Sequence, residues 1–426
     1  MRIVLTTFGT LGDVHPLIAL SLELMRRGHT PVIAVPEMFR PKVEPLGIAF
    51  RPIRPSLDPE DSALVAMLMD IRKGTEDTLR KILFPAIRAT YDDLLAIVQE
   101  DGGADLLLTG ELVYAGPLVA AKTGVRWASY VLAPLSYFSA YDAPVLPPYP
   151  LLARIEGAVP GMGKIVARFA RLVTRSWAEP VHRLRAELSL PPCESPIFEG
   201  KHSPQLALAI FSSVLGKPQP DWPASALVTG FAFYDGDAGK QDLPSALEAF
   251  LAAGPPPVVF TLGSAAVLNA GSFYRESAQA AESLGVRAVL LVGTDKRNLP
   301  EKDLPPSICV AQYAPYSKLF PGASAVVHQG GVGTTAQTLR AGRPMLVMPY
   351  SHDQPDNARR MQRLGVARVL RRQDYTAKNA AREIARLLSD PRYAEKAQAV
   401  GVQLAQEDGV KTACDAMERL LATSQP

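Results

Sequence analysis

Residues 326–357 read VVHQGGVGTTAQTLRAGRPMLVMPYSHDQPDN, and the fold of the chain is decided by how this stretch is understood. A short apolar strand, Ala325 to Val327, runs into His328, then Gly330, Gly331 and Gly333, and then a helix-compatible run from Thr334 to Leu339. A helix leaves its first four backbone N–H groups without partners, and its aligned peptide dipoles gather partial positive charge there. Glycines ahead of the helix let an anion approach that backbone, and Thr334 and Thr335 add hydroxyl groups. The order strand, glycines, helix therefore makes a cradle for a phosphate or diphosphate.

The spacing is neither the dinucleotide GxGxxG nor the GxxxxGK[ST] of P-loops, and a glycine-rich turn alone is common. A second strand adds weight to it: Met345 to Met348 ends at Pro349 and leads to His352, Asp353, Gln354 and Asn357. Polar groups at the C-terminal end of a strand, beside a phosphate-binding helix, lie where open α/β sheets hold ligands.

On the N-terminal side the chain alternates strand and helix. Strands are expected at Arg2–Thr7, Thr30–Val35, Ile48–Phe50, Leu106–Thr109, Arg126–Tyr130 and Leu206–Ile210, the last of that half. A helix from His15 to Arg27, stopped by Gly28, and a long helical stretch from Asp61 to Val98 separate them. Beyond residue 240 the alternation resumes with Val258–Leu262, Ser272–Leu284, Arg287–Val292 and Ile308–Val310. Strands joined through helices imply parallel sheets covered on both faces. At 426 residues, two domains are the natural division.

Two stretches break the rhythm. Leu132 to Leu152 gathers five prolines with Tyr137, Phe138, Tyr141 and Tyr149. It reads either as a loop packing its own aromatics or as a wall for a lipophilic ligand. The helix expected from Gly163 to Leu188 carries Lys164, Arg168, Arg171 and Arg175 at helical spacing. The ordinary reading is a solvated face on a packed helix, and the alternative is peripheral contact with an anionic membrane.

A formal net charge of +3 gives no argument for nucleic acid. The three cysteines, Cys193, Cys309 and Cys414, lack CxxC spacing and suit a reducing compartment without a metal site. The N-terminal run enters an acidic glycine-containing turn, so it reads as a first strand and not a secretion signal, and Lys122 and Arg126 interrupt the longest apolar candidate for a membrane span. A cytoplasmic protein is expected, with any membrane contact peripheral.

The turn Gly9-Thr10-Leu11-Gly12-Asp13-Val14-His15-Pro16 joins the first strand to the first helix. Asp13 reads equally as an N-cap and as a general base taking a proton from a hydroxyl, with His15 as a competing base. Tyr313 offers a ring for stacking on a nucleobase, and Thr261, Gly263 and Ser264 end another strand in a small-residue turn. The triplet Asp235-Gly236-Asp237 reads as a solvated turn and not a metal site.

Together these blocks resemble a family. Y313-A-P, H328-Q-G-G-V-G-T-T and D353-Q-x-x-N357, with the N-terminal G9-T-L-G-D-V-H-P, are similar to the UDP-glycosyltransferase superfamily of GT-B fold, family 1 type. H202-S-P-Q, W222-P, T229-G-F, F260-T-L-G-S and F273-Y place the similarity in the bacterial branch that includes the rhamnosyltransferase B chain and natural-product glycosyltransferases. The resemblance implies two Rossmann-like α/β domains facing across a cleft. It implies an acceptor-binding domain over 1–217, a linker over 218–240, a nucleotide-sugar domain over 241–405 and a helix over 406–426 returning to the first domain.

By the same resemblance Tyr313 and Ala314 meet the base, and His328, Gly330, Gly331, Gly333, Thr334 and Ser264 meet the diphosphate. Asp353 and Gln354 hold sugar hydroxyls. Apart from the resemblance, Thr10 and Gly12 are expected on the donor side, and the aromatic loop offers Tyr137, Phe138 and Tyr141 as candidates for an acceptor pocket. Asp13 is the preferred base. The plant-type ribose glutamate falls on Ala336, a departure that leaves ribose recognition to other groups. The implied activity is inverting, metal-independent transfer of a hexose from UDP-glucose or a dTDP-sugar to a lipophilic hydroxylated acceptor, with no cofactor beyond the donor. Rival readings are a sugar-nucleotide epimerase, a non-catalytic activator and a lipid glycosyltransferase at the membrane surface.

Overall fold

Runs such as Ile3–Leu5 are apolar at every position, which suits strands buried on both faces. Ile3 and Leu5 enter one core with Leu17, Leu20 and Met417, while Val4 between them enters another with Leu94 and Val119. The computed structural model describes residues 1–58, 61–147, 162–236, 242–299 and 304–423. Its strands form two sheets in which every pairing is parallel.

The first sheet has seven strands: β1 (Arg2–Thr6), β2 (Thr30–Val35), β3 (Ala49–Pro52), β4 (Leu106–Gly110), β5 (Arg126–Val131), β6 (Leu206–Ala209) and β7 (Ala226–Val228). The second has six: β8 (Val258–Thr261), β9 (Ala288–Leu291), β10 (Ile308–Ala311), β11 (Ala325–His328), β12 (Met345–Val347) and β13 (Ala367–Val369). Their orders are β3-β2-β1-β4-β5-β6-β7 and β10-β9-β8-β11-β12-β13. In each the chain winds outward from a central strand and then crosses to the other side, so the order reverses between β1 and β4 and between β8 and β11. In open α/β sheets ligands bind outside the C-terminal ends of strand pairs at such a reversal.

The sheets belong to two units, Met1–Pro59 with Lys73–Tyr234 and Glu407–Pro426, and Glu60–Arg72 with Asp235–Gln406. The last helix, Gly409–Ala422, packs on Leu11–Arg26 and buries Ala413, Cys414, Met417 and Leu421 in the first core. In the opposite direction, Glu60–Arg72 departs from the expected 1–217 domain. Its helix Ser62–Leu68 sends Val65, with Met69 just beyond, into the core behind the second sheet beside Ala266 and Val267.

Other elements also differ from expectation. The first helix begins at Leu11, not His15, and carries Pro16 in its interior. The stretch 61–98 is not one helix: Ser62–Leu68, Gly74–Asp77, a π-helical turn at Thr78–Leu83 and Ile87–Gln99 replace it, with Pro85 ahead of the last. Leu206–Ala209 is not the last strand of its half, because β7 lies inside the expected linker 218–240. The basic helix is two, Met162–Thr174 and Glu179–Glu187, joined by a 3-10 turn. Tyr149, Pro148 and Pro150 lie outside the described residues, as does Asp237. Among the described residues no helix is long and apolar enough to cross a membrane.

Candidate active site

The turn after β1 is built as a capping box. Thr10 is the N-cap: its hydroxyl accepts the Gly12 N–H at 3.1 Å, while Asp13 Oδ2 accepts the Thr10 N–H at 2.7 Å. Asp13 is thus the third helical residue and not the N-cap. Gly9, at φ +147°, is what lets the carboxylate fold back, since a Cβ there would lie 2.2 Å from Asp13 Oδ2. The box also consumes the polar groups of Thr10 and the Gly12 amide, so neither presents a free donor to a nucleotide sugar.

Two influences compete on Asp13. Burial raises its pKa, the Thr10 backbone and hydroxyl bonds lower it, the nearby Glu111 carboxylate raises it again, and the balance stands at about 6. His15, half-buried with its ring 5.3 Å from that of Tyr234, is lowered to about 4 by burial and by Lys42. A general base works best with a pKa near the working pH. Asp13 meets that condition better than His15, and its Oδ1 lies outside the capping bonds.

Glu111 follows β4, on the other side of the same switch point. It accepts the Ser136 hydroxyl at 2.6 Å and lies 3.6 Å from the Lys201 ammonium, whose pKa burial lowers. The sequence reading missed both Glu111 and Lys201. The available signal was position alone, a carboxylate one residue past a buried strand.

In the second unit the cradle forms at the β8/β11 switch point. The helix Val332–Arg340 has Gly331 as N-cap with no side-chain cap, so its first-turn amides keep their capacity for an anion. Gly333 faces open space, with nothing within 4 Å of a Cβ built there. Gly263, in the turn after β8 at φ +65°, sits against Gln329, and a Cβ there would lie 2.3 Å from Gln329 Nε2 and 3.4 Å from Thr334 Oγ1. Ser264 in the same turn is exposed.

His328 departs from the role expected of it. Its ring is fully buried, Nδ1 accepts the Gly330 N–H at 3.0 Å, and Nε2 faces Met345 Sδ at 3.3 Å. Burial lowers its pKa to about 3, so the ring is neutral. It folds the glycine turn and presents no charge to a diphosphate. Gln329, which the sequence reading left without a role, is the residue wedged between the two glycine turns, and its buried Oε1 has no hydrogen-bond partner.

Tyr313 exposes 60 % of its surface while Ala314 is buried, so only the ring of the first and the backbone of the second suit a nucleobase. Asp353 is half-buried and accepts the Asn357 amide at 2.7 Å; Asn357 in turn donates to the Gly330 carbonyl at 3.0 Å. Gln354 Oε1 accepts the Tyr350 N–H at 2.9 Å, leaving the Nε2 end of that amide. The imidazole of His352, in the left-handed region at φ 55°, bonds the backbone of Leu68, and the Ser351 hydroxyl donates to the Leu68 carbonyl at 3.4 Å. The crossing segment Glu60–Arg72 therefore braces the loop that carries Asp353 and Gln354.

Of the aromatic loop, Tyr137 packs between Trp222 and His202 at 4.3 and 5.0 Å, and Phe138 lies edge-on to Phe198 at 4.9 Å. Tyr137 is core packing, which removes it from an open pocket, while Phe138 is half-buried and Tyr141 is exposed under Lys164. Asp235 is no free solvated turn residue either, since it pairs with Arg340 at 2.8 Å and accepts from Gln337 at 3.1 Å. Ala336 is buried. Among the described residues no cluster of His, Cys, Asp and Glu could hold a metal ion.

Comparisons with known proteins agree with this layout. Residues 3–122 match the glycosyltransferase family 28 N-terminal domain, and residues 280–413 match the erythromycin biosynthesis protein CIII-like C-terminal domain. The chain is 34% identical to the O-mycaminosyltylonolide 6-deoxyallosyltransferase of Streptomyces fradiae, over 99% of this chain and 98% of that one. It is 29% identical to a sterol 3-beta-glucosyltransferase of Neurospora crassa over 98% of its own length, but covers only 27% of that longer protein. Among solved structures it superimposes on the calicheamicin glycosyltransferase CalG4 at a TM-score of 0.73 with 18% identity, covering 100% of this chain and 99% of that one. The spinosyn rhamnosyltransferase SpnG, complexed with thymidine diphosphate, gives 0.70 with 19% identity over 98% and 100% of the two chains.

Proposed function

The chain belongs to the nucleotide-sugar-dependent glycosyltransferases of GT-B fold that make natural products, and from this premise we propose that it performs inverting O-glycosyl transfer with Asp13 as base. One observation carries this reading: a half-buried carboxylate, raised to about 6, at the switch point of the first sheet. Above that pH Asp13 is ionised and takes the proton of an acceptor hydroxyl, the oxygen attacks the anomeric carbon, and the nucleoside diphosphate leaves. Negative charge grows on the departing diphosphate, where the uncapped amides of Val332, Gly333 and Thr334 already point as donors, so stabilisation strengthens toward the transition state. These donors do the work a divalent metal would otherwise do, and turnover is expected to survive a chelator.

Tyr313 stacks on the base, Ser264 and Thr334 bond phosphate oxygens, and Asp353 with the Gln354 amide holds the sugar. For the sugar itself two readings have support. Similarity to a deoxyallosyltransferase across the full length, with a thymidine diphosphate complex among the structural neighbours, favours a dTDP-deoxyhexose. Similarity to sterol glucosyltransferases favours UDP-glucose, the expectation from sequence. In both, the acceptor is a lipophilic molecule bearing a hydroxyl.

Calorimetric titration with UDP and dTDP, followed by incubation of each nucleotide sugar with macrolactones and sterols and mass spectrometry of the products, tests this. Binding of a nucleoside diphosphate and a glycosylated product of inverted anomeric configuration are expected. A new sugar nucleotide formed without acceptor would replace the transferase reading by the epimerase, and retained configuration would remove Asp13 as base.

A further inference from the structure

The helix Met162–Thr174 is inside out. Its small residues, Gly163, Ala167, Ala170 and Thr174, recur at helical spacing and turn toward the protein; Gly163 and Ala167 are buried. A Cβ on Gly163 would lie 2.3 Å from the Ala140 carbonyl oxygen, so the helix rests directly on that loop. The large apolar residues face the other way: Ile165, Phe169, Leu172 and Val173 expose 64, 56, 70 and 45 % of their surfaces. An ordinary packed helix does the reverse, which removes the reading of a merely solvated polar face.

The third face is basic. Lys164, Arg168, Arg171 and Arg175 run along one edge of the apolar stripe, and residues 162–178 contain no Asp or Glu. Among the described residues the row makes one ion pair, Arg171 with Glu199 at 3.6 Å, and Arg171 also lies over the Phe198 ring at 5.6 Å. Lys164 covers the ring of Tyr141, itself 57 % exposed, which extends the stripe onto the loop. Glu179, at the start of the next helix, is the nearest acid along the chain.

We propose that this helix seats the protein on an anionic lipid surface, with the stripe in the acyl boundary and the basic row at the headgroups. An apolar stripe with basic residues at its edge is the pattern of a helix lying in a membrane interface, its attraction to anionic lipid screened by salt. A second copy of the chain is disfavoured as occupant, because a two-fold contact through the stripe would bring one basic row against another. Seating of this kind would deliver a lipophilic acceptor from the phase in which it dissolves.

Co-sedimentation of the full chain with phosphatidylcholine vesicles, with and without phosphatidylglycerol, tests the proposal. Binding at low salt to the anionic vesicles alone is expected. It should fall about ten-fold or more at high salt, in Phe169→Ser with Leu172→Ser, and in Arg168→Glu with Arg175→Glu. All four positions are exposed, so both double variants should keep the wild-type melting temperature and bind nucleoside diphosphate normally, which separates this result from a failure of the transferase reading. Absence of wild-type binding at low salt, equal binding to both vesicle types, or binding unchanged in both variants would each overturn it. So would a dimer that the apolar double variant dissociates without any vesicle binding.

Discussion

In the proposed mechanism Asp13 serves two purposes, and it does so at a thermodynamic cost. As the capping-box partner it holds Thr10 and starts the first helix, yet burial outweighs those bonds and leaves its folded pKa at about 6 against an ordinary value of 3.8. With the folded value raised, the folded state holds a proton more tightly than the unfolded one. Stability from this group is full below the unfolded value and is lost as pH rises through about 6. Its ionised form therefore destabilises the protein at neutral pH by on the order of 3 kcal/mol at most. Asp13→Asn should lower kcat by about 10²–10⁴-fold while leaving donor binding intact, and should raise the melting temperature at neutral pH, with the gain vanishing in acid. Wild-type turnover should climb through pH of about 6 to a plateau. Unchanged turnover in the Asn variant would transfer the role to His15. At this scale the sequence picked out Asp13 as helix-start residue and candidate base together, and the structure gives it the capping bond; it picked out Asp353 by its place after a strand, where the carboxylate holds Asn357. It misjudged His328 and Tyr137, because histidine and tyrosine are also core residues and burial is not written in a motif.

Two glycines of the cradle look alike in sequence and do different things. Gly330 stands at φ +90°, and a Cβ there would lie 2.7 Å from Val347 Cγ1 and 3.1 Å from the Gln354 carbonyl oxygen. Gly333 is in the first turn of the helix with open space around it. Gly330→Ala is expected to cost about 1–3 kcal/mol of stability through backbone strain and the clash. Gly333→Ala should leave stability unchanged or raise it by up to ~1 kcal/mol, yet weaken nucleoside diphosphate binding about ten-fold, since its methyl would stand where the diphosphate must approach. Thermal melts with calorimetric titration read both effects, and normal binding in Gly333→Ala would remove the helix N-terminus from the donor site. Strand, glycine turn and helix were legible in order because each has its own periodicity. The stretch 61–98 was not, because apolar residues at helical spacing continue across the breaks at Gly74 and Pro85. The edge strand β7 was hidden too, being three residues long and following Pro218, Pro220 and Pro223.

At the scale of the molecule, each unit borrows a segment from the other half of the chain. Met69 is 6 % exposed in the second core although it lies among residues of the first half, and Met417, fully buried, completes the first core from the C-terminal helix. Hydrophobic patterning tells that a segment is buried but not in which core, so this exchange is visible only in three dimensions. It has a measurable consequence, because all three tryptophans, Trp127, Trp177 and Trp222, lie in the first unit, whereas the cradle lies in the second. Tryptophan fluorescence thus follows unfolding of one unit, and under the proposed donor site nucleotide binding is expected to follow the integrity of the other. Truncating a buried methionine to alanine costs about 2–5 kcal/mol. Met417→Ala should lower the urea midpoint seen by fluorescence while nucleoside diphosphate affinity in the absence of denaturant stays the same. Met69→Ala should do the opposite: the fluorescence midpoint holds, and nucleotide binding is lost at lower urea because the brace on Ser351 and His352 loosens with its helix. If Met69→Ala shifts the fluorescence transition as much as Met417→Ala does, the two units unfold as one, and the segment Glu60–Arg72 couples them instead of serving the second alone.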